Sequence, residues 1–269
     1  MLMDRYQFSP THIRFAVNFT ASMPPRTRIA PTPSGFLHSG NAYSFTLTAA
    51  WAKELGANIL LRIDDLDDAR KRPEYVADIF ATLHRLQISW QLGPQTPDAF
   101  EQHWSQRLRM PQYNAALDAL CRIPGLVYAC TCSRRVLSSG GQCSCHLRNL
   151  PLSTPDAAWR VNVPPHTIIG FNDEKRGAVE IDLHAAAGNF VVRRRDGIAA
   201  YQIASLVDDM IFEITHIVRG EDLLPSTAAQ LFLAKHLGYE HFLQVHFLHH
   251  PLITDEQGNK LSKSNQPHN

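Results

Sequence analysis

The sequence predicts an α/β protein built on a parallel sheet and interrupted by an inserted, cysteine-bearing subdomain. Three observations carry this. Apolar runs of strand length alternate with helix-length periodic segments on either side of a middle region. That region holds the cysteines, four of them within a sixteen-residue stretch, and several prolines. It also contains short alternating runs such as Ala158-Trp-Arg-Val-Asn-Val163, which differ in kind from the sequence flanking it.

Taken in order, Arg28-Ile-Ala-Pro-Thr-Pro-Ser-Gly35 begins strand-like and ends in a proline and glycine turn, and a helical pattern follows from Asn41 to Leu55 with Gly56 as its stop. Ile59-Leu-Leu-Arg-Ile63 fits a buried strand, and Pro73 to Leu86 returns to helical periodicity with proline in the first turn. This βαβα order implies parallel pairing. After the middle region come Val191-Val192, the apolar run Tyr201-Gln-Ile-Ala-Ser-Leu-Val207, Ile217-Val218-Arg219 and a helix from Ser226 to Leu237. The expected boundaries are 1–25 for an N-terminal extension, 26–119 and 190–250 for the two halves of the main domain, 120–189 for the insertion, and 251–269 for a loop and the chain end.

Composition narrows the function classes. With 44% hydrophobic and 19% charged residues, the chain can bury a core, and its net charge of +1 means that any nucleic-acid partner is held by local patches and not by overall charge. No run approaches the roughly 20 apolar residues of a membrane span. Asp4, Arg5, His12 and Arg14 interrupt any secretory signal. Few, clustered cysteines argue against the disulfide framework of a secreted protein, so the cytosol is the expected compartment. A monomer is the expected state.

Two polar elements carry chemistry. Between Pro31 and Asn41 a strand delivers the chain through Pro33, Gly35 and His38-Ser-Gly40-Asn41 into a helix, which places backbone N–H groups and a positive helix end beside a histidine. Alone, this is equally a capped helix with a stray histidine. Near the chain end, Lys260-Leu-Ser262-Lys263-Ser264 offers two mobile cations suited to a departing pyrophosphate, and alone it is equally a solvated tail. Cys130-Thr-Cys132 and Cys143-Ser-Cys145 are two CxC pairs ten residues apart, enough sulfur for a tetrahedral zinc site that would fold a loop-rich insertion. The alternatives are four unligated thiols or two bridges. Cys121 reads as a small buried hydrophobe, and Arg193-Arg194-Arg195 as a solvated strand end or a phosphate contact.

Together, the His-Ser-Gly-Asn and Lys-Leu-Ser-Lys-Ser elements resemble the paired signatures of the class I aminoacyl-tRNA synthetases. Arg28-Ile-Ala-Pro-Thr-Pro-Ser-Gly35, Arg62-Ile-Asp-Asp-Leu-Asp67 and Val218-Arg-Gly-Glu-Asp-Leu-Leu224 narrow the resemblance to the glutamyl and glutaminyl branch, from about Arg28 to Ser264. Within it, the cysteine region and the short length are most similar to the paralogous group that has no anticodon-binding domain and glutamylates the queuosine base of tRNA(Asp). Fewer than ten residues follow Lys263, which leaves no room for such a domain.

The resemblance implies a Rossmann-type sheet split by a zinc-bearing acceptor-end subdomain, with ATP and Mg²⁺, glutamate and tRNA as partners. It implies catalytic roles for His38, Lys260 and Lys263, and ATP contacts from Pro33, Gly35, His38, Gly40, Asn41, Lys260, Ser262 and Lys263. The glutamate pocket would comprise Arg28, Ile29, Ala30, Pro31, Thr32, Asp64, Tyr201, Ser205 and Arg219, with the arginines pairing with carboxylate and Asp64 with the α-ammonium. Thr32, Asp64 and Ser205 stand where the branch usually has serine, glutamate and asparagine. The four cluster cysteines would be the metal ligands, Cys143 replacing a tyrosine, with His146 as a substitute. The acceptor is the queuosine of tRNA(Asp) or the terminal ribose of tRNA(Glu). Outside the family, a nucleotidylyltransferase acting on a small phosphate compound, or a non-catalytic binding module, would share the phosphate turn.

Overall fold

In the computed structural model, which describes residues 24–133, 135 and 143–252, the chain enters the sheet at β1 (Arg26–Ile29) and leaves it through the expected turn into α1 (Ser39–Leu55). Gly56 ends α1 in the left-handed region at φ 62°, donating its N–H to the carbonyls of Ala52 and Lys53. Next, β2 (Asn58–Leu61) pairs with β1 in parallel, and α2 (Pro73–Arg85) follows. Within β2, Ile59 and Leu61 face one core cluster, with Phe45 of α1 and Ile79 and Leu83 of α2, while Leu60 faces the other. Burial on both faces is what a parallel strand between helical layers requires.

The second layer is formed by α3 (Met110–Cys121), which Cys121 ends at intermediate burial, and by two helices further along. In the middle region β3 (Val127–Cys130), β4 (Ala158–Val161) and β7 (Val191–Arg193) make an antiparallel sheet in the order β3-β4-β7. This sheet therefore takes a strand from each side of residue 189. The hairpin of β5 (Ile168–Asp173) and β6 (Gly177–Asp182) pairs instead with the main domain, where Asp173 lies in parallel register with Phe247.

The run beginning at Tyr201 is a helix, α4 (Tyr201–Ile211), because Ile203, Leu206, Val207 and Met210 fall at helical spacing and are all buried. β8 (His216–Gly220) and β9 (His246–His250) pair in parallel, and α5 (Leu224–Leu237) between them completes a βαβ unit. The two parallel pairs meet at Thr215, whose N–H donates to the Arg26 carbonyl at 2.9 Å while its own carbonyl accepts from the His246 N–H at 2.9 Å. No ladder joins β1 to β8 among the described residues. Higher up, the Arg28 side chain lies between those strands and donates to the Val218 carbonyl at 3.3 Å. No described helix is long and apolar enough to cross a membrane.

Past β2, Leu92 bridges to Leu60 and the chain turns at Gly93 with φ 101°, where a Cβ would fall on the Leu61 carbonyl oxygen. Gly93→Ala therefore carries both backbone strain and a backbone collision. Gly56→Ala carries only the strain, about 1 kcal/mol, since nothing lies near its Cβ position. Urea unfolding should show Gly93→Ala losing clearly more stability than Gly56→Ala, and equal losses would contradict this packing of the edge against β2.

Candidate active site

The carboxyl ends of β1, β2 and β8 and the start of α1 surround a cavity of about 450 Å³. On its phosphate-binding side, His38 is the N-cap of α1, its Nδ1 accepting from the Gly40 N–H at 3.1 Å, while Asn41 Oδ1 accepts from the His38 N–H at 3.1 Å. Because Nδ1 is an acceptor, the proton of the neutral ring sits on Nε2, which is thereby a donor. A Cβ on Gly40 would lie 2.9 Å from His38 Cε1, so glycine is needed for the imidazole to fold over the helix start. The turn before it is pinned from α2, where Asp78 Oδ2 accepts the Leu37 N–H at 2.8 Å.

The opposite wall stands on buried charge. Asp209 Oδ1 accepts from Arg62 Nη1 at 2.6 Å and Arg28 Nε at 3.2 Å. Arg62 also grips Asp64 with two bonds of 2.7 and 3.1 Å and donates to Ser205 Oγ at 3.1 Å. The neighbouring Asp208 takes Arg109 through two bonds of 2.7 and 3.1 Å, Tyr113 Oη at 2.7 Å and Gln106 Nε2 at 2.9 Å. Four guanidinium groups, counting Arg219, thus face three carboxylates, all buried. Arg219 is the one left over: its Nη2 is 3.8 Å from Asp209 Oδ2, too long for a hydrogen bond, and neither Nη2 nor Nε has a hydrogen-bond partner among the described residues.

Ionisation follows the geometry. Burial lowers the Arg28 pKa to about 10, with Asp209 opposing and Arg219 and Arg62 reinforcing the shift. Burial pushes the Asp64 carboxyl up despite Arg62, whereas the Arg62 guanidinium is raised because Asp64, Asp209 and Asp208 outweigh its own burial. At Asp208, burial is likewise outweighed by Arg109 and Arg62, and the carboxyl is held below its usual range.

Most of the expected residues converge. Arg28, Ile29, Ala30, Pro31, Thr32, Asp64, Tyr201 and Arg219 line the cavity opposite His38, Gly40 and Asn41. Pro33 and Gly35 shape the turn without lining it. Ser205, fully buried, lies behind Arg62 and contacts that side chain. Lys260, Ser262 and Lys263 fall outside the described residues. Unanticipated wall residues are Ser44, Arg70, Asp222 and His250. His250 Nε2 is buried without a hydrogen-bond partner, and its ring lies edge-on to Tyr43 at 5.1 Å. No sequence signal marked it; it stands at the end of β9, where such sheets hold their ligands. Asp208 and Asp209 gave no signal, since adjacent acids ordinarily mark a solvated face.

The four cluster cysteines are free thiols with all their sulfurs within 4.8 Å of one another. Three of the Sγ–Sγ distances are 3.5, 3.6 and 3.8 Å. Four thiolates about 2.3 Å from a tetrahedral zinc would stand about 3.8 Å apart, so the set fits such an ion. His146 is not part of it; its ring packs edge-on against Tyr128 at 5.8 Å, and Tyr128 Oη lies 3.8 Å from Cys143 Sγ. Arg195 donates to the carbonyls of Thr131 and Cys132 at 2.7 Å each, Arg193 lies over the Trp159 ring at 4.5 Å, and Arg194 pairs with Asp196 at 2.5 Å. Arg193 and Arg195 are therefore engaged with the insertion, and Arg194 with its own turn.

The cavity thus combines the carboxyl end of a parallel sheet, a helix-capping histidine and buried arginines. The chain belongs to the class I tRNA synthetases of the glutamyl and glutaminyl type, and so to the ligases of the aminoacyl-tRNA synthetase kind: the family described as tRNA synthetases class I (E and Q), catalytic domain, matches residues 25–143 and 146–268. A glutamyl-Q tRNA(Asp) synthetase of Pseudomonas aeruginosa is 40% identical over 238 residues, 88% of this chain and 76% of the relative. The protein of that name from Pseudomonas entomophila gives the same figures. Among solved structures, the glutamate-tRNA synthetase of Elizabethkingia anophelis superposes with a TM-score of 0.75 at 26% identity, over 90% of this chain but only 53% of that one.

The depressed Asp208 carboxyl contributes stability that is present above its unfolded pKa, about 4, and is lost as pH falls through its lower folded value. The urea midpoint should therefore drop below about pH 4. Asp208→Asn should flatten that acid limb while costing about 3–5 kcal/mol at neutral pH, because Arg109 is left buried without its partner. An unchanged acid limb would contradict the pairing.

Proposed function

We propose that the chain activates glutamate with MgATP and transfers the glutamyl group to tRNA, the acceptor being the queuosine base of tRNA(Asp). The observation that supports this best is that Arg219, whose buried Nε and Nη2 have no hydrogen-bond partner among the described residues, lines the same cavity as a histidine-capped helix start. A carboxylate satisfies the former and phosphates the latter. Asp64, although held by Arg62, keeps lone pairs for the α-ammonium, which would relieve the cost of its burial. Tyr201, at the start of α4, closes the side of the pocket. The choice of tRNA(Asp) is supported by the relatives' names at 40% identity.

In the first step a carboxylate oxygen of glutamate attacks the α-phosphorus, the bond to the bridging oxygen breaks, and pyrophosphate leaves with the electron pair. The N–H at His38 Nε2 donates to the phosphoryl oxygens as charge builds, and Lys260, Ser262 and Lys263 are assigned to the departing pyrophosphate. In the second step an acceptor hydroxyl attacks the carbonyl carbon of the mixed anhydride and AMP departs. Positioning supplies most of the acceleration, and no protein nucleophile is required. The cysteine set would hold a structural zinc, which organises the turn carrying residues 130–132 near the acceptor-end insertion. Free thiols of this kind fit the cytosol, and a monomer suffices for the site.

With glutamate and no tRNA, the protein should catalyse ATP–pyrophosphate exchange, and His38→Ala should lower the rate about 10²- to 10³-fold. Glutamate should then pass to tRNA(Asp) that carries queuosine and not to the same tRNA carrying guanine there. Charging of tRNA(Glu) instead would support the 3′-end acceptor, and no adenylate with any amino acid would sink the reading. Elemental analysis of purified protein should find about one zinc per chain, reduced in Cys143→Ser. Metal-free protein with four titratable thiols would contradict the zinc assignment.

A further inference from the structure

Arg219 does not hold itself in place. Among the described residues the one hydrogen-bond partner of its side chain is Thr227 Oγ1, which accepts from Nη1 at 3.0 Å. Thr227 is fully buried on α5, and its hydroxyl lies 2.9 Å from His249 Nε2 on β9. His249 Nδ1 lies 2.7 Å from Asp173 Oδ2 on β5, an oxygen that also accepts the His249 backbone N–H at 2.9 Å. We propose that Thr227, His249 and Asp173 are positioning residues for substrate binding, forming a buried relay that aims the free Nε and Nη2 of Arg219 at the substrate carboxylate.

Proton bookkeeping fixes the direction of every bond. An ionised Asp173 can only accept, so His249 Nδ1 carries the proton it donates. In a neutral ring Nε2 is then an acceptor, which obliges the Thr227 hydroxyl to donate to it. That leaves the threonine lone pairs facing Arg219, whose N–H groups can only donate. A doubly protonated His249 would turn Nε2 into a second donor towards Thr227 and leave the hydroxyl proton without an acceptor. The surroundings favour the neutral ring: His249 is fully buried, with the rings of Phe171 and Phe247 at 5.9 and 6.2 Å. Burial lowers its pKa, Asp173 opposes the shift, and Arg219 and Arg176 add to it.

The relay also gives the β5–β6 hairpin a task. Asp173 is where β5 meets β9 in register, and its Oδ1 accepts the N–H groups of Lys175 and Arg176 at 3.0 Å each. The carboxylate is thus clamped by its own turn before it meets the histidine. Three buried side chains from three elements transmit that rigidity to an arginine of a fourth, in a site where a displacement of about 1 Å costs binding.

The proposal rests on Arg219 as the carboxylate-binding group, and two measurements separate its failure from failure of the glutamate reading. In glutamate-dependent ATP–pyrophosphate exchange, Thr227→Val, which keeps shape but not the hydroxyl, should raise KM for glutamate about tenfold or more. KM for ATP should stay within about twofold, kcat should change less than KM for glutamate, and Thr227→Ser should recover most of the loss. Thr227→Val with an unchanged glutamate KM, or with both KM values rising together, overturns the relay. Independently of catalysis and of any variant, ¹⁵N NMR of the folded wild-type protein at neutral pH should show His249 neutral and protonated on Nδ1. A doubly protonated ring, or one protonated on Nε2, overturns it as well. If the wild type shows no glutamate-dependent exchange, the functional reading fails, and the tautomer still decides the relay.

Discussion

The interaction on which the rest of the structure depends is the pairing of Asp209 with Arg62 and Arg28 at the seam between the two parallel strand pairs. Strands β1 and β8 share no ladder there among the described residues, and the Arg28 side chain fills the opening instead. Taking several guanidinium groups out of water is costly unless carboxylates meet them with good geometry. Helix α4 supplies that match by presenting Asp208 and Asp209 on neighbouring faces. One closes the contact to Arg109, Tyr113 and Gln106, and the other closes the contact to the sheet. The seam is thereby both a structural joint and the floor of the ligand cavity. The remaining cation, Arg219, is the one that the proposed function assigns to the ligand.

The legible parts of the sequence were those whose chemistry is local. The strand, turn and helix around His38 lie within some thirty residues, and the capping interactions there link His38 to Gly40 and Asn41, two and three positions away. The cysteine set was legible for the same reason, because two CxC pairs separated by one loop place four sulfurs together with little help from the rest of the chain. The seam was not legible. Arg62 meets Asp209 across 147 positions and His249 meets Asp173 across 76. Nothing in a window of ordinary length marks an acid as buried when its partner is that distant. Asp208 and Asp209 carried no signal in the sequence, and Ser205 read as a ligand contact although it lies one layer behind, against Arg62.

The small sheet of the inserted region joins the main core through Val161 and Val192 and adds ties of its own. Strands β3, β4 and β7 carry cross-links of differing chemistry: the sulfur cluster beyond β3, the Arg193 guanidinium over Trp159, and Arg195 reaching back to the carbonyls of Thr131 and Cys132. That arginine run sits immediately before the turn into α4, so the strand that completes the insertion also leads into the helix bearing Asp208 and Asp209. The cysteine region and the ligand cavity are therefore coupled through one short stretch of chain.

In the proposed reading Arg219 is held with spare donors for a substrate carboxylate, while Arg62 and Arg28 pair with Asp209 through Oδ1. A crystal structure with glutamate bound tests this most directly. A carboxylate oxygen of the ligand should lie about 3 Å from Arg219 Nε or Nη2, with the Arg62–Asp64 and Arg62–Asp209 pairs intact. A structure in which glutamate's carboxylates lie elsewhere and Arg219 has closed onto Asp209 as a direct ion pair would contradict it.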